Sequence, residues 1–349
     1  MHYTELDTPA LTIDLDVLEK NIQDLQHACD QLQIGLRVHT KSHKTPQIAQ
    51  RQMSAGAIGV CCQKLAEAEV MAEAGIGDIL IPYNIVGRAK LERLTRLINK
   101  HTATITVAAD SLTTVEGLSQ QASRDGCEVR VIVEMDTGGH RCGVQTPGET
   151  LALAEQIDRL PGLVFMGVMT YHSGDQVAPF LDQVRDLMKK ASLPLHIVSA
   201  GGTGSQAFCK DLGCTETRIG SYVYEGMTRV SRRADLHPAR CALRLVTTVV
   251  STAVPSQIII DAGMKAFTSY PPVPYGYCVE HPDILIKAMS VEHGHVDVMA
   301  SLHSFVVGDV LSWIPLHGGM TTNLHDRMYA VRGDEVVDCW RIAGRGKAQ

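Results

Sequence analysis

Over about two-thirds of the chain, ending near residue 223, short β-branched runs alternate with longer stretches whose apolar residues recur at helical spacing. "IGLRVH", "AIGVCC", "GDILIPY", "TITVAA", "VRVIVEM", "LVFMGVMTYH", "LHIVSAGG" and "TETRIGSYV" are the strand-like runs. "DVLEKNIQDLQHACDQLQ" and "QKLAEAEVMAEAG" are typical of the helical stretches around them. Strands that are apolar on both faces need helices to cover them, so the alternation implies a parallel sheet. Eight strand–helix repeats over roughly 220 residues predict a (β/α)8 barrel. A doubly wound open sheet is the competitor, but no G-x-G-x-x-G follows the first strand.

The texture changes near Arg240. "ALRLVTTVVSTAV", "SQIIIDAG", "VDVMASLHSF", "DVLSWIPLH" and "MYAVRGDEVVDCWRIAG" read as strands separated by turns, with little helical periodicity. We therefore expect an α/β chain of two domains. Residues 1–235 would form the barrel and 236–349 a mostly β domain, with the first few residues possible members of the second. The formal net charge of −6 shows no excess of lysine or arginine, which argues against a general nucleic-acid or anionic-membrane binder. Ten cysteines without CxxC pairing read as thiols of a reducing compartment. The N-terminus, "MHYTELDTPALTIDLD", has no apolar core of signal-peptide length, and no run is long enough to span a membrane. The expected location is the cytoplasm.

In a barrel, functional groups gather at the carboxyl ends of the strands. The first strand runs into "RVHTKSHKTP", with Arg37, His39, Lys41, His43 and Lys44 crowded together. A lysine among cations, and partly desolvated, has a lowered pKa, and its amine becomes nucleophilic enough for a Schiff base. A surface loop before a helix starting at Pro46 is the plainer reading. The fifth strand leads to "EMDTGGHRCGV", the sixth ends at Tyr171 and His172, and the seventh opens into "SAGGTGS". Glycines let backbone N–H groups converge on an anion, and Thr203 and Ser205 add hydroxyls. A simple turn remains equally compatible with that segment. An amine and an anion nest at one barrel mouth suit pyridoxal 5'-phosphate, which has an aldehyde for the lysine and a phosphate for the nest. Asp136 and Asp261 read as turn formers, Gln63 as a residue of the mouth or a helix cap, and the strand methionines and cysteines as core.

"RVHTKSHKTPQIA" resembles the "RPHxKTHKxxxIA" lysine motif of the D-threonine aldolase and eukaryotic-type D-serine dehydratase family. "DTPALTIDLDVLEKNI", "VEMDTGGHRCGV", "TYHSG", "SAGGTGS", "IGSYVY", "IIIDAGMKAF", "VEHGHVDV" and "TTNLHDRMYAVRGDEVVDCWRIAGRG" resemble the family's other segments in the same order. The resemblance implies a fold-type III, alanine-racemase-like pyridoxal-phosphate barrel with a C-terminal β domain. It implies that Lys41 is the Schiff-base lysine, that Tyr171 faces the pyridine nitrogen and that Arg141 lies near the cofactor's ring and phenolic oxygen. Gly202, Thr203, Gly204, Ser221 and Tyr222 would hold the phosphate. The implied activity is cleavage of a β-hydroxy-D-amino acid such as D-threonine to glycine and an aldehyde. The alternatives are a D-serine or 3-hydroxyaspartate dehydratase, then an amino-acid racemase, then a pyridoxal-phosphate-binding protein without turnover. A homodimer acting on a small amino acid, with no nucleic-acid or membrane partner, is expected.

The family also holds a divalent metal by an H-x-D or H-x-C pair. Here "PLHGGMTTNL" sets His317 on the first ligand but Gly319 on the second, and glycine has no donor. One neutral imidazole holds a hard divalent ion poorly. Three outcomes stay open. Glu292, His293, His295 or Asp326 supplies the missing ligand; the metal binds weakly through His317 alone; or the chemistry needs only Lys41 and a second acid/base. At the position where the aldolases tend to carry a hydroxyl-directed histidine, this chain has Val177.

Overall fold

A computed structural model describes residues 1–171, 175–231, 236–268 and 275–349. The chain divides into two compact units. One comprises Leu25–Lys41, Ile48–Gly220 and Lys347–Gln349; the other comprises Met1–Asp24, Ser42–Gln47 and Ser221–Gly346.

The second unit opens with β1 (Ala10–Asp14), and α1 (Leu15–Gln31) carries the chain out of it. The first unit is a closed barrel of eight parallel strands. They are β2 (Gly35–His39), β3 (Gly59–Cys61), β4 (Asp78–Asn84), β5 (Thr104–Ala109), β6 (Val129–Met135), β7 (Leu163–Thr170), β8 (Ile197–Ala200) and β9 (Glu216–Ile219). Each falls on one of the eight runs read from the sequence, and β9 pairs back onto β2 to close the cylinder. The connecting helices α2 to α8 are Pro46–Ser54, Leu65–Glu73, Arg88–Lys100, Leu112–Asp125, Pro147–Arg159, Val177–Lys190 and Gln206–Asp211. Their starts carry local signals. Ser111 caps α5 through its side chain, and Thr146 with Glu149 forms a capping box ahead of Pro147 in α6. Inside the barrel, Cys61, Leu80, Ala108, Ile132, Met166 and Met169 form one apolar cluster. The strand cysteine and methionines are core, as composition suggested.

The other unit continues with a short α9 (Met227–Val230). Its strands are β10 (Leu243–Val254), β11 (Gln257–Ile260), β12 (Gly276–Cys278), β13 (Leu285–Met289), β14 (Gly294–Asp297), β15 (Val310–Pro315), β16 (Arg327–Arg332) and β17 (Glu335–Arg341). With β1 they make one mostly antiparallel sheet, in which β1 lies between β10 and β16. Helix α10 (Gly318–Thr322) follows β15. The run "VDVMASLHSF" is strand only to Asp297, because the Asp297 side chain accepts the Met299 N–H at 3.0 Å and turns the chain. Met299 and Leu302 are consequently exposed.

Candidate active site

Lys41 lies in a single 3-10 turn, Thr40–Ser42, immediately beyond the carboxyl end of β2. Lys41 is exposed by surface area, yet the barrel takes part of the bulk water from its amine. Loss of bulk solvent is the largest influence holding Lys41 below the ordinary lysine range, and the charges of Arg141 and Arg218 push the same way. Glu67 opposes them, and so would Cys61 as a thiolate. Burial, however, pushes the Cys61 thiol up to about 12, so near neutrality it is uncharged and leaves Lys41 alone.

The cations that act on Lys41 are therefore not its neighbours in sequence, which corrects the expectation drawn from "RVHTKSHKTP". Arg37 is buried and neutralised. Its Nε lies 2.9 Å from both Glu216 oxygens, and its Nη1 donates to Asp78 at 2.6 Å. His43 is buried, with Nδ1 accepting the Thr45 N–H at 3.1 Å.

Glu216 continues a polar chain through the barrel. It accepts from Ser199 Oγ at 2.6 Å, and that hydroxyl in turn accepts from Arg218 Nη1 at 2.6 Å. Arg218 Nη2 donates to the Thr170 carbonyl at 2.7 Å. The chain runs from Asp78, the first residue of β4, to Thr170, the last of β7. Arg218 was not singled out from the sequence. Its signal was present: Glu216 and Arg218 are two charged residues two apart on a short buried strand, so both face one side of a sheet.

Tyr171 follows β7 directly and is half exposed, at 53%. The Arg141 guanidinium sits 5.3 Å from its ring centroid. A tied loop holds Arg141 there. Asp136 Oδ1 accepts the N–H groups of Gly138, Gly139 and His140 at 2.7–3.1 Å, the turn-forming role expected of it. Gly143 donates to Asp110 at 2.9 Å, and its left-handed φ of 113° turns the chain back onto β6. A Cβ at Gly143 would lie 2.5 Å from the Asp136 nitrogen, so no other residue fits. Beneath the loop, buried Glu134 accepts from Cys142 Sγ at 3.3 Å and Arg141 Nη2 at 3.5 Å. Burial is the main reason that its carboxyl titrates above the usual range. His172 lies outside the described residues.

The glycine-rich turn after β8 packs beside Tyr171. A Cβ on Gly202 would sit 3.7 Å from Tyr171 Cε2 and 3.9 Å from its hydroxyl. The Ser205 hydroxyl is not a spare donor. It accepts the Gly202 N–H at 2.9 Å and donates to the Gly202 carbonyl at 2.7 Å, closing the turn. Thr203 and Gly204 form its tip. Ser221 and Tyr222 begin the 3-10 turn (Ser221–Val223) that follows β9, Ser221 exposed and Tyr222 buried. Gln63 does not cap α3, since the cap position is Lys64 and the Gln63 N–H donates to Glu67 at 2.9 Å. The barrel thus brings an amine of lowered basicity, a glycine turn, a phenol and two guanidinium groups to one region, a donor set that suits pyridoxal phosphate.

The metal expectation fares differently. His317 is the N-cap of α10, its Nδ1 accepting the Met320 N–H at 3.1 Å. Gly319 brings no donor. Glu292 pairs with Lys265 at 2.6 Å, Asp326 with Arg345 at 2.6 Å, and His295 Nε2 lies 2.9 Å from Ser290 Oγ. Among the described residues no three His, Cys, Asp or Glu side chains form a cluster that could hold a metal, and the two-ligand pair expected at positions 317 and 319 has a donor only at His317. This donor set does not fit a resident divalent ion.

The alanine racemase N-terminal domain family matches residues 13–227, and the putative serine dehydratase domain matches residues 242–331. The chain belongs to this alanine racemase-like family. It is 35% identical to a D-threonine aldolase of an Arthrobacter species, over 98% of this chain and 93% of that protein. The crystal structure of D-threonine aldolase from Filomicrobium marinum superposes with a TM-score of 0.90 at 32% identity, covering 99% of this chain and 98% of that one. A mutant of D-threo-3-hydroxyaspartate dehydratase, solved in a metal-free form, superposes at 0.85 with 26% identity and 98% coverage of both chains. Family membership accounts for the barrel with its appended β domain.

Proposed function

We infer that this chain is a pyridoxal-phosphate-dependent lyase that cleaves a small β-hydroxy-D-amino acid, of the D-threonine type, to glycine and an aldehyde. The observation that carries the reading is the placement of Lys41, with its weakened basicity, in the same barrel mouth as Arg141, Arg218, Tyr171 and the Gly202–Gly204 turn. When bound, pyridoxal phosphate supplies an aldehyde that condenses with amines and a ring that accepts the electrons of a breaking Cα bond.

The protein's part is positioning and proton control. Lys41 offers an amine that is unprotonated at lower pH than an ordinary lysine, fit to attack an aldehyde and later to take or return a proton. Gly202, Thr203, Gly204, Ser221 and Tyr222 would hold the phosphate, as small residues and N–H donors do best. Tyr171 would meet the ring nitrogen with a phenol, which leaves that nitrogen without the carboxylate partner that enforces protonation. Arg141, held by the Asp136 and Gly143 loop, would lie against the ring and its phenolic oxygen. Val177 is buried at the first position of α7, so no side chain there can take the hydroxyl proton.

The dehydratase likeness supports a second reading, β-elimination, in which Lys41 removes the α-proton and hydroxide leaves. We propose a cytoplasmic homodimer in which the first residues of the 1–235 segment join the β domain of 236–349 through β1 and the barrel is built from the rest of that segment. Ten free thiols support the compartment, and exposed Met299, Leu302, Val306 and Val307 support the dimer. Product analysis with D-threonine, D-serine, D-3-hydroxyaspartate and D-alanine tests the activity. Glycine plus an aldehyde is expected. A keto acid plus ammonia would instead establish the dehydratase, and only the mirror-image amino acid a racemase.

A further inference from the structure

The two ring nitrogens of His317 are not equivalent. Nδ1 accepts the backbone N–H of Met320 and so caps α10. A neutral imidazole carries one proton, and with Nδ1 as an acceptor that proton is on Nε2. Histidines that ligate metals are arranged the other way round. Their second nitrogen donates to a carbonyl or carboxylate, which leaves the first with a lone pair for the ion.

At His317 the cap and a cation exclude each other. Ligation through Nε2 would need the proton on Nδ1, pointing at the Met320 N–H. Ligation through Nδ1 would displace that N–H outright. Position 319 adds no help, although space is not the obstacle. A Cβ there would meet the Ser42 carbonyl at 3.4 Å and His317 Cε1 at 3.5 Å, both ordinary contacts. Two acids of this domain that could stand in as the second ligand are engaged in ion pairs, Glu292 with Lys265 and Asp326 with Arg345.

We propose that His317 presents an Nε2–H hydrogen-bond donor and that positions 317 and 319 form no divalent-cation site. The assignment concerns the side chain itself; only its corollary, that turnover is indifferent to chelators, rests on the lyase reading. The test is a Mn2+ titration of the purified holoprotein without substrate, following the paramagnetic resonance of free Mn2+. Wild type is compared with His317→Asn, whose side-chain oxygen can keep the cap. The two titrations should overlay, with no saturable one-to-one site at millimolar Mn2+. In wild-type protein labelled at the imidazole nitrogens, the resonance that disappears in His317→Asn should have the Nε2–H pattern at alkaline pH. A saturable site abolished by His317→Asn, or an Nδ1–H pattern, overturns the proposal. Neither readout involves turnover, so failure of the lyase reading leaves this result intact, and failure here leaves the product assay intact.

Discussion

Replacing Gly201 by alanine separates what the fold demands from what the cofactor demands. Gly201 leaves β8 with φ of 123°, a backbone conformation in which a side chain is strained. An added Cβ would lie 2.4 Å from Thr217 Oγ1 and 2.9 Å from the Arg218 backbone nitrogen. Thr217 and Arg218 are in β9, so relief requires moving a barrel strand. Backbone strain costs about 1–3 kcal/mol and overpacking about 1–3 kcal/mol, which together give roughly 2–6 kcal/mol. Gly202 makes the contrast. It lacks a left-handed φ, and its Cβ would meet only Tyr171, at 3.7 Å or more. Gly202→Ala should therefore cost under about 1 kcal/mol in stability. It should nonetheless weaken pyridoxal-phosphate binding at least about tenfold, or about 1.4 kcal/mol, by placing a methyl group where the phosphate would approach the turn. Urea unfolding of both apoproteins, with cofactor titrations by absorbance, measures the two effects. If Gly201→Ala is as stable as wild type, or Gly202→Ala is equally unstable, the reasoning about this turn is wrong.

Arg37→Leu should cost about 3–5 kcal/mol, because it leaves the buried Glu216 carboxylate without its cation, and adding Glu216→Leu should recover most of that. A double-mutant cycle in urea checks it; additive losses would contradict the pairing. Arg218→Met removes a charge that disfavours protonated Lys41, so the amine should titrate higher. The pH profile of apoprotein labelling by pyridoxal phosphate should then move to more alkaline pH, and an unmoved profile would refute the electrostatic link. Because burial lowers Lys41 from the ordinary 10.5, the unfolded chain holds that proton more tightly than the folded one. Lys41 thus costs stability below its folded value, and the penalty fades as pH rises toward the ordinary one. Apo Lys41→Met should melt above wild type at neutral pH, with the gain shrinking in alkali; a gain that grows with pH would reverse the sign.

The barrel was legible because its strands are apolar on both faces and its helices amphipathic, signals that survive in a single chain. The strand "VDVMASLHSF" was overextended because one aspartate side chain ends it, a short-range contact that hydropathy does not register. Strands β12 and β13 were missed for a related reason. "GYC" is too short for a pattern, and "LIKAM" leaves three of its five side chains exposed or nearly so. In the site, Lys41 was visible as a lysine after a strand. The source of its electrostatics was not, since Arg141 reaches it from the loop after β6 and Arg218 from β9, while adjacent Arg37 is paired elsewhere. Gly319 could be read directly as a missing ligand. The capping role of His317 depends on the α10 turn, which five residues of "GGMTT" do not announce.

The most direct test of the account is borohydride reduction of the holoprotein followed by peptide mass analysis. The cofactor should be found covalently on the peptide containing Lys41, and Lys41→Ala should carry none. Label on another lysine, or undiminished label in Lys41→Ala, would contradict the assignment on which the proposed chemistry rests.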